Sequence, residues 1–332
     1  MYLKNKIAIG LASMLLAACS STTPSYHLET SYPTTNNNLS SGSGATVSGN
    51  DIVVVGDDEP WLFHVNEGNG YSTASKEKIK DYPLNQSGRI NKSIKPDFES
   101  LSKVRYQGKD YYLILGSGSK STRNLAYLVN IQDQTKLEFD LSGFYKKLYA
   151  LSGFNVSEHI NIEATAIAKD KIFIFNRGNS GTNIIFEMNW NQFMNFITKT
   201  SESLNTLKPY FVALPKIDGV ESTFSGADYW PQTDSLVFSA SVESESTAIN
   251  DGKVLGSFIG VLPIDQLKQT TSLDNSQSLT PYMQLLKKQN KTIITKVEAV
   301  AIQKSDDQTA SGYFVSDNDD GTSQFIHFNL AN

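Results

Sequence analysis

The 332-residue chain is short of the groups on which many binding and catalytic chemistries depend. A single cysteine excludes a disulfide framework, a thiolate zinc site and an iron–sulfur cluster. Four histidines leave little for an imidazole-rich metal centre. No surplus of positive charge exists, with 29 basic side chains against 34 acidic ones, so nucleic acid is not an expected partner. No apolar run approaches the roughly 18 residues that a membrane helix needs. What remains is a chain 39% hydrophobic and 11% aromatic but only 19% charged. It is long enough for one large domain or two ordinary ones around a buried core.

The N-terminus carries an address. Lys4 and Lys6 precede the ten apolar-rich residues 7–16, too few to cross a hydrocarbon core about 30 Å thick. Leu16-Ala17-Ala18-Cys19 then matches the lipobox of bacterial lipoproteins. Residues 1–18 are therefore expected to be a signal peptide, with Cys19 lipidated. Loss of Lys4 and Lys6 shifts the formal charge from −5 to −7. Ser20 after the cysteine implies, by likeness to that class, sorting to the outer membrane of a diderm bacterium, on its periplasmic or outer face. Residues 19–42 form a Ser-, Thr- and Asn-rich linker, with one strand-like stretch at 26–32.

From residue 43 to 332 a weak pattern recurs five times. Each copy opens on a short seed: Ser43-Gly44-Ala45, Glu99-Ser100-Leu101, Glu163-Ala164-Thr165, Ser225-Gly226-Ala227 and Glu298-Ala299-Val300. The seeds are 56, 64, 62 and 73 residues apart. Apolar strands follow at 52–55, 111–115, 171–175, 235–238 and 312–315. Closing strands follow at 61–65, 125–131, 184–188, 258–262 and 325–330. Fourth strands are expected at 136–141, 210–214 and 291–295. The last copy has none, and the stretch at 26–32 can supply it, removing the exposed edge. These signs predict an all-β, five-bladed propeller closed by an N-terminal strand. Six blades follow if a degenerate copy hides in 66–95 or 263–290. Helical insertions are expected at 144–149, 190–197 and 282–288.

In a propeller, one repeat position becomes a ring about the axis. The seeds place Glu99, Glu163 and Glu298 on one ring, with Ser43 and Ser225 completing it, and Asp228 close by. Three facing carboxylates need raised pKa values, a bound cation or a positive side chain reaching in. Hard oxygen donors suit Ca2+. In the other reading these Glu side chains bind neighbouring backbone amides and hold blade against blade. Loops after the second strands offer Asp57, Asp317 and Asp319 on one side and Arg123 and Arg177 on the other, a mouth able to grip an anionic ligand. Asp317-Asn318-Asp319-Asp320-Gly321 lacks the spacing of an EF-hand and reads as a turn. His64 and His327 read as strand residues, while His159 falls near the axis.

Several runs carry a resemblance: Lys95-Pro96-Asp97-Phe98-Glu99-Ser100-Leu101 followed by Gly116-Ser117-Gly118-Ser119, then Asn161-Ile162-Glu163, Phe224-Ser225-Gly226-Ala227-Asp228, and Ser316 to Gly321. Over about residues 41–330 they resemble a bacterial propeller family of the phytase-like and regucalcin-like supergroup. That resemblance implies the fold, and a metal-dependent hydrolase of phosphate or carboxylate esters as one function. Phytase-type calcium propellers crowd more acids at the mouth than this sequence offers. The expected function is a lipid-anchored envelope propeller that binds a small or polymeric polar ligand at its axial mouth. The alternatives are that hydrolase or a protein-interaction scaffold. No catalytic residue is assigned.

Overall fold

The computed structural model describes residues 26–244, 252–270 and 273–332. Residues 1–18, expected to be a signal peptide, and Cys19 lie outside the described residues. Five sheets stand in a ring, each with a core of antiparallel strands consecutive in sequence; Gln277–Ser278 adds a parallel edge to the third, and N-terminal strands complete the fifth. Blade one spans 42–78, blade two 98–140, blade three 162–213, blade four 223–285 and blade five 296–331. Their innermost strands are Gly42–Ser48, Phe98–Tyr106, Ile162–Ala168, Thr223–Trp230 and Lys296–Ser305, each beside the next around the axis. Five blades is the count. Residues 66–95 give only blade one's fourth strand, Ser72–Lys78, and loops.

Blade five ends at its third strand, Ser323–Ala331. His27–Thr30 pairs antiparallel with that strand, His27 opposite Ala331 and Thr30 opposite Phe328. Thr34–Asn36 continues along the same partner. The N-terminal closure expected from the unpaired last copy is therefore present, and the linker is ordered sheet from residue 27.

Strand alternation explains the packing. On blade one's second strand, Asp51–Gly56, Ile52 and Val54 enter the core shared with blade five, while Val53 and Val55 enter the core shared with blade two. On blade three's second strand, Ile172 and Ile174 face blade two, while Phe173 and Phe175 face blade four. Successive side chains point to opposite faces, and both faces are covered, so these strands read as unbroken apolar runs. Five apolar cores result, one between each pair of blades.

Two helices, Ser142–Ser152 and Trp190–Ile197, cap the core between blades two and three through Phe144, Leu148 and Phe193. The third helical expectation, 282–288, is wrong: Met283–Leu285 is blade four's outer strand and Lys287–Lys288 belongs to a small hairpin with Lys291–Thr292. Met283 and Leu285 pack toward blade three and Leu286 toward blade five, so the apolar residues there serve two opposite cores, as an extended chain does, and not one helical face. The strand expected at 291–295 shrinks to one arm of that hairpin.

Candidate functional site

Each blade carries a β-bulge near the start of its innermost strand. The register shifts between Gly42 and Gly44, Phe98 and Ser100, Ile162 and Ala164, Phe224 and Gly226, and Val297 and Ala299. The skipped residues are Ser43, Glu99, Glu163, Ser225 and Glu298, the five members of the expected ring. A bulge leaves its extra residue out of the ladder and re-aims the side chain. The next position is small because the inner strands crowd there. A Cβ on Gly44 would lie 2.7 Å from the Leu101 backbone nitrogen, and one on Gly226 2.7 Å from Ala299 Cα.

Above this ring opens a cavity of about 190 Å³. Eight carboxylates and six Lys or Arg side chains line it, together with His159. Ser43, Glu99, Glu163, Glu298, Asp57, Asp317, Asp319, Arg123 and Arg177 all border it. Two expected members do not. Ser225 is buried and turns its hydroxyl toward Ser239, 3.0 Å away. Asp228 stands three residues farther along the strand, about 10 Å on. Its carboxylate accepts the Ile302 amide at 2.7 Å and borders a cavity at the other end of the axis.

The acids of the mouth meet cations built into the protein. Arg177 donates to Glu243 at 2.9 Å and reaches Glu163 at 3.5 Å, while Thr223 Oγ1 accepts from its Nε at 3.1 Å. Lys296 lies 3.0 Å from Glu298 and 3.3 Å from Glu243. Lys95 bridges Asp57 and Asp97, 2.6 Å from the latter, and Arg123 also meets Asp97, at 2.5 Å. Ser117 donates to the same Asp97 at 2.6 Å. Arg177 thus joins Glu163 of blade three to Glu243 of blade four while lining the mouth. The two arginines do not occupy equivalent positions. The counterpart of Arg177 in blade two is Ser117, each amide bonding the residue two before the ring Glu. Arg123 instead reaches in from a 3-10 turn, Ser121–Arg123.

Glu99 is the exception, making no hydrogen bond or ion pair among the described residues. Burial first, then the charges of Glu163, Asp97 and Asp57, push its pKa well above the usual carboxylate range. Burial, only partly offset by Arg177, pushes Glu163 up to about 8. Burial likewise pushes Asp317 up to about 8. For Glu243 burial acts in the same direction, but Arg177 and Lys296 outweigh it and its pKa falls. One carboxylate oxygen each from Asp57, Asp97 and Glu99 lies within 4.8 Å of the other two. Asp57 Oδ1, Glu243 Oε2 and Glu298 Oε2 are buried without a hydrogen-bond partner.

Sequence reasoning missed Lys95, Asp97, Glu243 and Lys296. Three of them had a signal. Asp97 and Lys296 stand two residues before a ring Glu, the spacing that returns a strand side chain to the same face, and Asn161 shares that place. Lys95 stands two residues before Asp97. Glu243 had none, because blade four's second strand, Ser235–Ser244, runs well past its expected end. His64 and His327 are strand residues outside the mouth, 3.7 Å from Asp51 and stacked edge-on against Tyr313, respectively.

Among solved structures the chain is similar to an α-L-arabinofuranosidase from Podospora anserina in complex with cellotriose (8% identity, 93% of this chain and 98% of that one, TM-score 0.47). It is also similar to an exo-1,5-α-L-arabinanase from a bovine ruminal metagenomic library (7%, 89% and 93%, 0.46) and to the Cps50 (Swd1) β-propeller domain of Myceliophteria thermophila (11%, 86% and 69%, 0.31). At these identities the likeness concerns the propeller fold alone. No curated protein matches the sequence. The matching family model spans residues 38–330, and the chain belongs to that family, a family of unknown function (DUF6929).

Proposed function

We propose that the chain is a lipid-anchored propeller of the bacterial cell envelope whose axial mouth binds a small polar ligand, with calcium as a bridging ion. The observation that carries this reading is the mouth itself, a cavity of about 190 Å³ walled by charged side chains of both signs. That size suits a small molecule, and that lining suits one with an anionic group at one end and hydroxyl or cationic groups at the other. Lys92, Lys120 and Arg123 supply positive charge from blade two and the loop before it, and Asp317 and Asp319 supply negative charge from blade five. Lys92 and Lys120 are exposed and make no ion pair among the described residues. The lipobox at Cys19 supports the tether and the outer-membrane location.

The fit to calcium rests on Asp57, Asp97 and Glu99. Oxygens within 4.8 Å of one another can each lie 2.3–2.6 Å from one hard cation. An ion there would replace the Lys95 ammonium between the two Asp. Thermal unfolding in a calcium titration tests this: the melting temperature of the wild type is expected to rise, and Glu99→Gln to abolish the rise. A flat wild-type response removes the ion from the proposal.

A metal-dependent ester hydrolase of the phytase-like kind is the second reading. The protonated carboxyls that Glu163 and Asp317 keep near neutral pH favour it, since a general acid needs such a group. Chromogenic phosphate and carboxylate esters, run with and without calcium, separate the two readings. Turnover lost in Glu163→Gln supports the hydrolase, and silence leaves the binder.

A further inference from the structure

The route of the chain into the ring fixes which part of the molecule the lipid can reach. The mouth lies where Asp317 pairs with Ser323. His27 pairs with Ala331, at the other end of the same nine-residue strand, about 25 Å away. Seven Cα-to-Cα steps separate Cys19 from Tyr26, a reach of at most about 25 Å, no more than the length of that strand. The bilayer holding the lipid therefore lies by the outer edge of blade five, away from the mouth.

That edge has a surface suited to lipid. Thr30 Oγ1 donates to the Lys287 carbonyl at 3.5 Å, Lys288 Nζ donates to the Thr30 carbonyl, and Tyr32 donates to Gln289 at 3.1 Å. The hairpin Lys287–Lys288 with Lys291–Thr292 thus rides directly on the incoming strand. It brings three lysines to one place, and Glu29 is the one acid that lines the cavity beside Lys287 and Lys288 among the described residues. Lys288 Nζ stands 5.7 Å from the centre of the Tyr32 ring. Tyr32 is 62% exposed and Ile294, two residues beyond the hairpin, 67%; among the described residues only Val156 exposes more of a large apolar side chain. In a chain of net negative charge, lysines around an exposed aromatic ring form the mixture that binds an anionic bilayer surface.

We infer that the outer edge of blade five, formed by Tyr32, Ile294 and the Lys287–Lys291 hairpin, docks on the anionic lipid surface beside the tether and leaves the mouth open to the aqueous side. The inference rests on the anchored reading of Cys19, and its test separates the two. The mature chain from Ser20, which keeps every described residue but no lipid, is floated with vesicles of phosphatidylcholine alone or mixed with phosphatidylglycerol. Binding is expected only to the mixed vesicles, weakening with salt. Lys287→Gln with Lys291→Gln is expected to lower it about thirtyfold, as is normal for two lysines at such a surface. Tyr32→Ser should weaken binding without changing its salt dependence. Lys146→Gln with Lys147→Gln, on the helix between blades two and three, should leave it unchanged. Equal binding to both vesicle types, or none, overturns the docking whatever Cys19 carries. The mass of the N-terminal peptide from cells reads Cys19 separately, and an unmodified thiol overturns the tether while the flotation result still decides the surface.

Discussion

Glu99 is where the compensation of the mouth is left open. Arg177 serves Glu163 and Glu243, Lys296 serves Glu298 and Glu243, and Lys95 serves Asp57 and Asp97. Deleting one member of such a buried pair costs about 3–5 kcal/mol, because the other charge is then left buried without compensation. Glu99 has no cation of its own, and burial followed by its acidic neighbours raises its pKa. A carboxyl with a raised folded pKa holds its proton more tightly folded than unfolded. Its contribution to stability is therefore most favourable at low pH and is lost as pH climbs from the ordinary carboxylate range through the raised value. Glu99→Gln removes that dependence. In calcium-free buffer from about pH 5 to pH 9, the melting temperature of the variant is expected to gain steadily on the wild type. Parallel curves would mean that Glu99 is ionised and compensated after all.

At the scale of the element, the bulge is the device that builds the site. Without it, the ring residue would sit in the ladder and its side chain would follow strand alternation into one of the inter-blade cores. The bulge instead turns it to the axis and lets the following small residue press against the next blade. A Cβ on Gly226 would lie 2.7 Å from Ala299 Cα and 2.8 Å from Ser239 Oγ, and backbone does not yield as a side chain does. Gly226→Val is expected to cost about 1–3 kcal/mol, the usual range for overpacking, read as a lower midpoint in urea. An unchanged midpoint would show that blades four and five can part without loss. The repeat was legible because of these small residues: Gly44, Ser100, Ala164, Gly226 and Ala299 follow the ring position in all five copies. The alternating apolar second strands were legible for a similar reason, since both of their faces are buried.

The whole molecule depends on its closure. His27–Thr30 covers the edge of Ser323–Ala331, and Tyr26 donates its hydroxyl to the Ile259 carbonyl of blade four, tying the start of the chain across the last gap. A chain beginning at residue 33 leaves the Phe328–Ala331 part of that edge bare. It is expected to melt at a lower temperature and to associate as concentration rises, by light scattering, because unpaired edge strands template further pairing. A truncated chain that stays monomeric and melts like the parent would show that blade five is complete without the borrowed strand. The sequence by itself determined the propeller of five or six blades, the N-terminal closure and the ring of Glu99, Glu163 and Glu298, because alternation, turns and repeat spacing are local patterns that survive without coordinates. Tertiary structure alone decided which charge answers which. Glu243 reaches Arg177 from the next blade, Lys95 reaches Asp57 across blades, and Asp228 accepts the Ile302 amide of blade five. Those outcomes follow from how far side chains extend between strands distant in sequence, which no spacing along one chain can express.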